Sequence, residues 1–250
     1  MTPHEISQLA ELLKEAKLIT CLTGAGMSTE SGIPDFRSPD TGIYHTVAKE
    51  DIFDIDRFRE NPDNFYRFNS RFYTSIMDAQ PNAGHLALAR LESEFGKKVI
   101  ISTQNIDGLH QKARSSTIYE IHGTMRTLTC INPRCRKHVS SDDYLPQLQA
   151  GTPLRCEACG APYKPDVTFF GEALPEEAFT KSVEAFERAD LVMVLGTSLT
   201  VYPAAALPSY RSALAKFVII NRMETDADDD ADLVIHDSIG EALTKALARM

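Results

Sequence analysis

Four of the five cysteines fall in two close pairs, Cys130-x4-Cys135 and Cys156-x2-Cys159, with twenty residues between the pairs. Each pair fits on a tight turn, and two facing turns present four thiolates tetrahedrally, the arrangement zinc prefers. The second pair sits in Cys-Glu-Ala-Cys-Gly, where Gly160 permits the positive φ common in such knuckles. Cys130, Cys135, Cys156 and Cys159 are therefore expected to hold one zinc ion. Four protein sulfurs leave no open position for water, so the metal is expected to be structural, not catalytic. The first gap, four residues, is longer than the commoner two, which bears on the knuckle's shape and not on the metal. Zinc ribbons also occur in nucleic-acid-binding proteins. Between Cys130 and Lys164, however, five lysines and arginines face three acids, too small an excess for a phosphate-binding patch.

A second group of residues could handle a nucleotide. Gly24-Ala25-Gly26 comes after the apolar run 18–22 and precedes an expected helix. Glycines there let backbone approach a pyrophosphate, whose charge a helix N-terminus favours. The dinucleotide fingerprint asks for glycine or alanine at position 29, and Thr29 stands there instead. On these residues alone, a plain strand-to-helix turn is equally compatible. Gln104, Asn105 and Asp107 come after a second apolar run, and ligands bind outside the carboxyl ends of parallel strands. An aspartate in that place is otherwise a turn former or helix cap. Histidine is the natural proton acceptor near neutral pH, but the chain has seven, and composition does not choose among them. His85 and His110 read as helix or turn residues.

Such groups need a frame. Ile6, Leu9, Leu13 and Ala16 recur at helical spacing ahead of the run 18–22. Further apolar runs at 99–102, 118–121, 191–195, 217–220 and 233–235 read as parallel strands. Helical patterns lie between several of them, such as Leu86, Leu88, Leu91 and Phe95, or Phe179, Val183 and Phe186. Strands alternating with helices predict an α/β fold, a mostly parallel sheet covered on both faces. Two segments interrupt the alternation. In the first, about 38–77, Asn61-Pro62 suits a helix start, and Phe65, Phe68, Phe72 and Ile76 form one apolar face that ordinarily belongs to a core. The second, about 124–164, carries the cysteine pairs. Cys21 lies inside the first strand as a small core residue, and the acidic run 226–232 reads as a solvated loop.

Length and composition exclude little but set limits. With 250 residues, 43% hydrophobic and 24% charged, the chain has enough apolar surface for a real core. A net charge of −9 argues against a nucleic-acid surface spread over the protein and is compatible with basic peptide ligands. No basic region leading into an apolar stretch opens the chain, and no run of eighteen apolar residues occurs, so neither secretion nor a membrane is expected. A cytoplasmic location is the expectation, where five cysteines would not form a disulfide framework.

The stretch Gly24-Ala-Gly-Met-Ser-Thr-Glu-Ser-Gly-Ile-Pro-Asp-Phe-Arg37 is succeeded by Thr103-Gln-Asn-Ile-Asp-Gly-Leu-His110, Ile121-His-Gly-Thr124, Phe169-Phe-Gly-Glu172 and Gly196-Thr-Ser-Leu199. With the four cysteines, these closely resemble the signature blocks of sirtuins, in family order and over nearly the whole chain. The resemblance implies a Rossmann-like NAD-binding domain, a doubly wound parallel sheet made of 1–37, 78–123 and 165–250. A small domain would form from a helical insertion, 38–77, and a zinc-binding insertion, 124–164. NAD and an acyl-lysine peptide would enter the cleft between them from opposite sides.

The resemblance also implies a role for each matched residue. Ala25, Gly26 and Thr29 line the pyrophosphate and its ribose. Residues 33–37 form a flap in which Phe36 shields the reacting C1′ carbon from water and Arg37 positions phosphate or the flap. Gln104 is a further cofactor contact, Asn105 organises the ribose and a water, and Ile106 and Asp107 hold the nicotinamide carboxamide. Gly196, Thr197 and Ser198 cradle phosphate and adenosine ribose, Asn221 contacts that ribose, and the adenine lies near Ile239. Val167, Phe169, Gly171 and Glu172 on one side, and Val201 and Tyr202 on the other, clamp the peptide as an added strand. The acyl oxygen of the substrate lysine attacks C1′ and nicotinamide leaves. His122, in the His-Gly block, then activates a ribose hydroxyl, with Asn105 beside it, and water releases free lysine and O-acyl-ADP-ribose.

The expected activity is thus NAD-dependent deacetylation of acetyl-lysine proteins. Sirtuins that prefer succinyl or malonyl groups carry Tyr-x-x-Arg in the helical insertion. Here Tyr66 has Asn69 at that spacing, and the nearest likeness is Phe68-x-x-Arg71. Acetyl-lysine is favoured over acidic acyl groups on that ground. A mono-ADP-ribosyltransferase would use the same pocket and differ in its product. A nicotinamide dehydrogenase fits less well because of Thr29. A zinc-ribbon binding module explains the cysteines and leaves the other blocks idle.

Overall fold

The computed structural model describes residues 1–34 and 53–250. Six parallel strands form the main sheet: β1 (Leu18–Thr23), β2 (Lys98–Thr103), β3 (Ile118–Glu120), β7 (Leu191–Leu195), β8 (Lys216–Ile220) and β9 (Leu233–Ile235). Their order, β3-β2-β1-β7-β8-β9, reverses direction of growth at β1. This is the Rossmann arrangement, and the point of reversal is where such sheets bind ligands. A separate antiparallel sheet is built from β4 (Gly123–Cys130), β5 (His138–Ser140) and β6 (Tyr163–Val167), in the order β5-β4-β6. The parallel, α/β character expected from the apolar runs is what the chain adopts.

The strands are buried on both faces because each face carries helices. On one side Ile19 and Cys21 of β1 join Leu9 and Leu13 of the helix Pro3–Glu15, Leu88 and Leu91 of Ala83–Ser93, and Leu243 of Ile239–Leu247. On the other, Leu22 meets Phe186 of the helix Glu176–Arg188. The first helix starts with a capping box, Thr2 bonding the Glu5 N–H while the Glu5 carboxylate takes the Thr2 N–H. Burial pushes the Cys21 thiol up to about 12, so it is an unreactive core group. One expectation fails. Leu86, counted with the apolar stripe of its helix, is 47% exposed, and Ala87 takes the place inside.

A second core holds the small sheet against the helices Ile55–Glu60 and Pro62–Asp78. Phe53, Phe58, Phe65 and Phe169 meet edge to face or tilted at 5.2 to 5.9 Å. Asn61 caps the longer helix and Pro62 begins it, as expected from their sequence order. Tyr66 donates to the Tyr163 carbonyl at 2.8 Å, so its buried hydroxyl is satisfied and the helix is tied to β6. No helix among the described residues is long and apolar enough to cross a membrane.

Candidate active site

The register of the main sheet brings the chemistry to one rim. Thr23 of β1 lies level with Thr103 of β2 and Leu195 of β7; Leu195 in turn is level with Ile220, and Thr103 with Glu120. The residues just beyond these strand ends therefore emerge side by side: Gly24, Gln104, His122, Gly196 and Asn221. All of them line a cleft of about 1050 Å³. Ala25, Gly26, Thr29, Asn105, Ile106 and Asp107 line it too, as do Thr197, Ser198 and Ile239. Toward the second core its wall includes Val167, Phe169, Gly171 and Glu172, and opposite them Val201 and Tyr202. Phe36 and Arg37 lie outside the described residues.

The glycines of the rim have a reason that sequence does not reveal. A Cβ on Gly24 would stand 2.6 Å from Thr197 Cβ, and one on Gly26 would stand 2.8 Å from Gly196 Cα. The loops after β1 and β7 pack backbone to backbone, with the Gly26 N–H donating to the Gly196 carbonyl at 2.9 Å. Beyond Gly24 the chain forms two short 3-10 turns, Ala25–Met27 and Thr29–Ser31, in place of the expected helix. Thr29, where the fingerprint wants glycine, donates its hydroxyl to the Gly26 carbonyl at 3.0 Å and closes the first turn. Anion binding here would rest on backbone N–H groups and not on a long helix dipole.

Behind the rim lies a polar network. Asn105 donates to the Gly24 carbonyl at 2.9 Å and to Ser28 Oγ at 3.1 Å, and Ser28 donates to Asp107 at 2.7 Å. The other Asp107 oxygen takes the Leu109 N–H at 2.9 Å. Burial pushes the Asp107 carboxyl above its usual range, opposed by these two bonds. Sequence reasoning does not single out Ser28; its hydroxyl is recognisable only once Asp107, 79 positions away, is placed against it.

His122 Nδ1 lies 3.2 Å from the Gln104 carbonyl. A carbonyl only accepts, so Nδ1 carries the proton and the Nε2 lone pair is left to accept one. Burial holds the imidazole below the ordinary histidine value, so it is neutral near pH 7. Its position is set by the next residue. Gly123 has φ +76°, and a Cβ there would sit 1.9 Å from the Asp166 carbonyl oxygen. Only glycine lets the chain turn from the main sheet into β4 at this point. Among the described residues no other histidine lines the cleft. His110 is buried with Nε2 3.1 Å from Thr23 Oγ1, and its ring lies 4.7 Å from that of His85. Burial lowers both, His85 to about 4.

At two of the residues expected to contact peptide, the side chain is engaged by the protein itself. The Phe169 side chain is 1% exposed and belongs to the aromatic core. The Glu172 carboxylate, for its part, is engaged by the Lys164 ammonium at 2.7 Å and by the Phe169 N–H at 2.8 Å. Conversely Phe72 and Ile76, read only as core, also line the cleft, as does Thr168.

The four cysteine sulfurs lie within 4.8 Å of one another, with Cys130 and Cys159 at 3.4 Å and Cys135 and Cys156 at 3.7 Å. Disulfides would require ~2.05 Å. Tetrahedral zinc with sulfurs at ~2.3 Å asks for sulfurs about 3.8 Å apart, so the donor set fits one such ion. Both knuckles end on a left-handed residue, Arg136 at φ 49° and Gly160 at φ 75°. The longer first gap thus reaches the same turn geometry as the second.

The chain matches the model of the Sir2 family over residues 24–203. It is 42% identical over 231 residues to an NAD-dependent protein deacetylase of Thermotoga maritima, covering 92% of each chain. It is 40% identical to NAD-dependent protein deacylase 2 of Archaeoglobus fulgidus, covering 96% of this chain and 94% of the other. Among solved structures, one of Sir2 with a p53 peptide and NAD+ superimposes with a TM-score of 0.87 at 38% identity, covering 98% of both chains. Another, of Sir2Tm bound to a propionylated peptide, does so at 0.86 and 37%, also covering 98% of both.

Proposed function

The chain belongs to the Sir2 family, and from that premise we propose that it is an NAD-dependent protein-lysine deacetylase with His122 as its general base. The observation that carries this reading is the shared rim. A neutral histidine whose Nε2 has no partner among the described residues stands in the same cleft as the glycine loops and the Asn105–Ser28–Asp107 network. NAD, when bound, supplies the ADP-ribosyl group that accepts the acyl group, with nicotinamide as the leaving group. The Ala25 N–H and the Thr197 and Ser198 hydroxyls would face its phosphates, on turns shaped by Gly26, Thr29 and Gly196, whose own donors are already bonded within the protein. Asn221 and Ile239 lie where the adenosine end would rest. Phe36 and Arg37 are assigned the water-shielding flap.

Asn105 orients ribose and water, and Ile106 and Asp107 hold the carboxamide. His122 takes a ribose hydroxyl proton at Nε2 while Nδ1–H stays on the Gln104 carbonyl. The backbone of Val167, Phe169, Gly171 and Glu172, facing Val201 and Tyr202, receives the peptide as a strand, so acetyl-lysine proteins of varied sequence are the partners. The large domain is 1–37, 78–123 and 165–250, with insertions 38–77 and 124–164 forming the small one. The cytoplasm, a reducing compartment, suits four thiolates kept for zinc, and neither membrane nor nucleic acid enters the activity.

If Asp107 accepts hydrogen bonds from the carboxamide, Asp107→Asn should weaken inhibition by nicotinamide and lower turnover. Inhibition at the wild-type level would leave Asp107 as a turn residue that caps Leu109. In the absence of Tyr-x-x-Arg, acetyl-lysine should react with a higher kcat/KM than succinyl-lysine in the same peptide; the reverse ranking would mean that another cation serves the acyl carboxylate. The reaction itself is tested by mass spectrometry of the products from NAD and an acetyl-lysine peptide. O-acetyl-ADP-ribose with free lysine is expected, and ADP-ribosylated protein without deacetylation would point to the transferase instead.

A further inference from the structure

Lys164 is the one lysine buried among the described residues, at 9% exposure. All three of its ammonium protons have acceptors: Glu172 Oε2 at 2.7 Å, the Val167 carbonyl at 2.6 Å and the Pro165 carbonyl at 3.2 Å. The same ammonium lies 4.2 Å from the centre of the Phe169 ring. Glu172 uses the same Oε2 to take the Phe169 N–H. One side chain thus ties residue 165 to residue 172 and braces the ring between them.

The segment so tied borders the cleft. Within the segment the Glu172 N–H also donates to the Phe169 carbonyl at 3.0 Å, and three bonds run outward: Thr168 N–H to the His122 carbonyl at 2.9 Å, Phe170 N–H to the Phe53 carbonyl at 2.7 Å, and Ile55 N–H to the Phe170 carbonyl at 3.1 Å. Among the described residues no partner meets the Gly171 N–H or C=O, and Gly171 lines the cleft while Lys164 does not. An edge with unpaired backbone groups receives a strand only if its groups stand in register with those of the incoming chain. A buried ion pair is a poor source of stability compared with apolar packing of the same volume, but its directed bonds set geometry. A lysine spending three bonds inside one eight-residue turn region is suited to setting where Gly171 stands.

We propose that Lys164 is a positioning residue for the acyl-lysine peptide, holding the edge at Gly171 through Glu172 and the Val167 carbonyl without touching substrate. The inference rests on the deacetylase reading above. It also gives the zinc module a link to substrate, because Lys164 pairs with Thr129 in the small sheet, next to Cys130.

The test compares zinc-loaded wild type, Lys164→Met, Lys164→Arg and Glu172→Gln, measuring KM for an acetyl-lysine peptide, KM for NAD, kcat and zinc content. Lys164→Met should raise peptide KM about tenfold or more, the scale of a lost charged hydrogen bond, with one zinc per chain and an NAD KM within about twofold. Lys164→Arg should return peptide KM toward wild type, since a guanidinium also reaches Glu172. If Lys164→Met does not fold, Glu172→Gln carries the test. It keeps the volume and one acceptor, and its peptide KM should rise about threefold. A wild-type peptide KM in folded Lys164→Met or in Glu172→Gln, or an equal rise in both KM values, would overturn the inference. Wild-type protein that releases no nicotinamide from NAD and acetyl-peptide would overturn the deacetylase reading itself, and the inference with it.

Discussion

Replacing His122 by alanine is expected to lower deacetylation by about 10²-fold or more while the protein stays folded, the usual scale for losing a positioned base. That corresponds to about 2.7 kcal/mol of barrier. Among the described residues the side chain makes one hydrogen bond, through Nδ1, and Nε2 has no partner. The turn at this place is held by Gly123 and by the Thr168 bond to the His122 carbonyl, and both survive the substitution. The melting temperature should therefore change little. Attack on C1′ precedes the proton transfer assigned to His122, so exchange of labelled nicotinamide into NAD should persist at a reduced rate. Measuring exchange and deacetylation side by side separates the two steps. Deacetylation near the wild-type rate in the folded variant would remove His122 from the mechanism. His110 would not replace it, because it lies buried behind Thr23 and off the cleft.

The same base sets a pH dependence. Burial lowers the His122 value, which favours the neutral imidazole. The base-requiring step should therefore lose rate only as pH falls below the ordinary histidine value of 6.5, and His122→Ala should abolish that acidic limb.

The second large effect is loss of zinc. Metal analysis should find one zinc per chain, and Cys156→Ala should remove it and unfold the small sheet with its helices. Metal binding in closed cysteine sites supplies on the order of 10 kcal/mol to small modules. Here the cysteines anchor structure on both sides. Cys130 ends β4, while Cys156 donates its N–H to the Ala161 carbonyl just before β6, and both are part of the second core. Activity should fall with the metal, since β6 leads directly into the cleft wall at Val167. Thermal unfolding of the variant with zinc quantification checks this. A wild-type preparation that is folded, active and free of zinc would end the claim.

Several parts of this molecule are legible in the sequence because the physics that decides them is local. Four thiols in two close pairs suit one metal whatever surrounds them. The apolar runs are strands because their length and their glycine or polar ends leave a buried parallel strand as the best solution. Asn61-Pro62 begins a helix because an orphan N–H needs a cap and proline has no N–H to orphan. Where the outcome depends on a distant neighbour, sequence reasoning falls short. The segment after Gly24 forms 3-10 turns because Gly24 and Gly26 must lie against Gly196 and Thr197. Leu86 turns outward because Ala87 and Leu88 fill the space beside the sheet. Ser28 and Lys164 look like ordinary polar residues until their partners are placed.

By itself the sequence determined the six parallel strands, several of the helices between them, the zinc ligands and, through the resemblance of its blocks, which residues stand at strand ends. Only the tertiary structure decided how those ends meet. Parallel register sets Gly24, Gln104, His122, Gly196 and Asn221 along one rim, and no spacing in the sequence encodes that alignment. The proton on His122 Nδ1 is likewise assigned by the carbonyl of Gln104, 18 positions away. Phe169 turns inward because the aromatic core offers it better partners than water does, and Glu172 is held at the cleft wall by Lys164. Hydrogen bonds and burial between distant segments form only once the chain has closed on itself, and so they are properties of the fold and not of any stretch of residues.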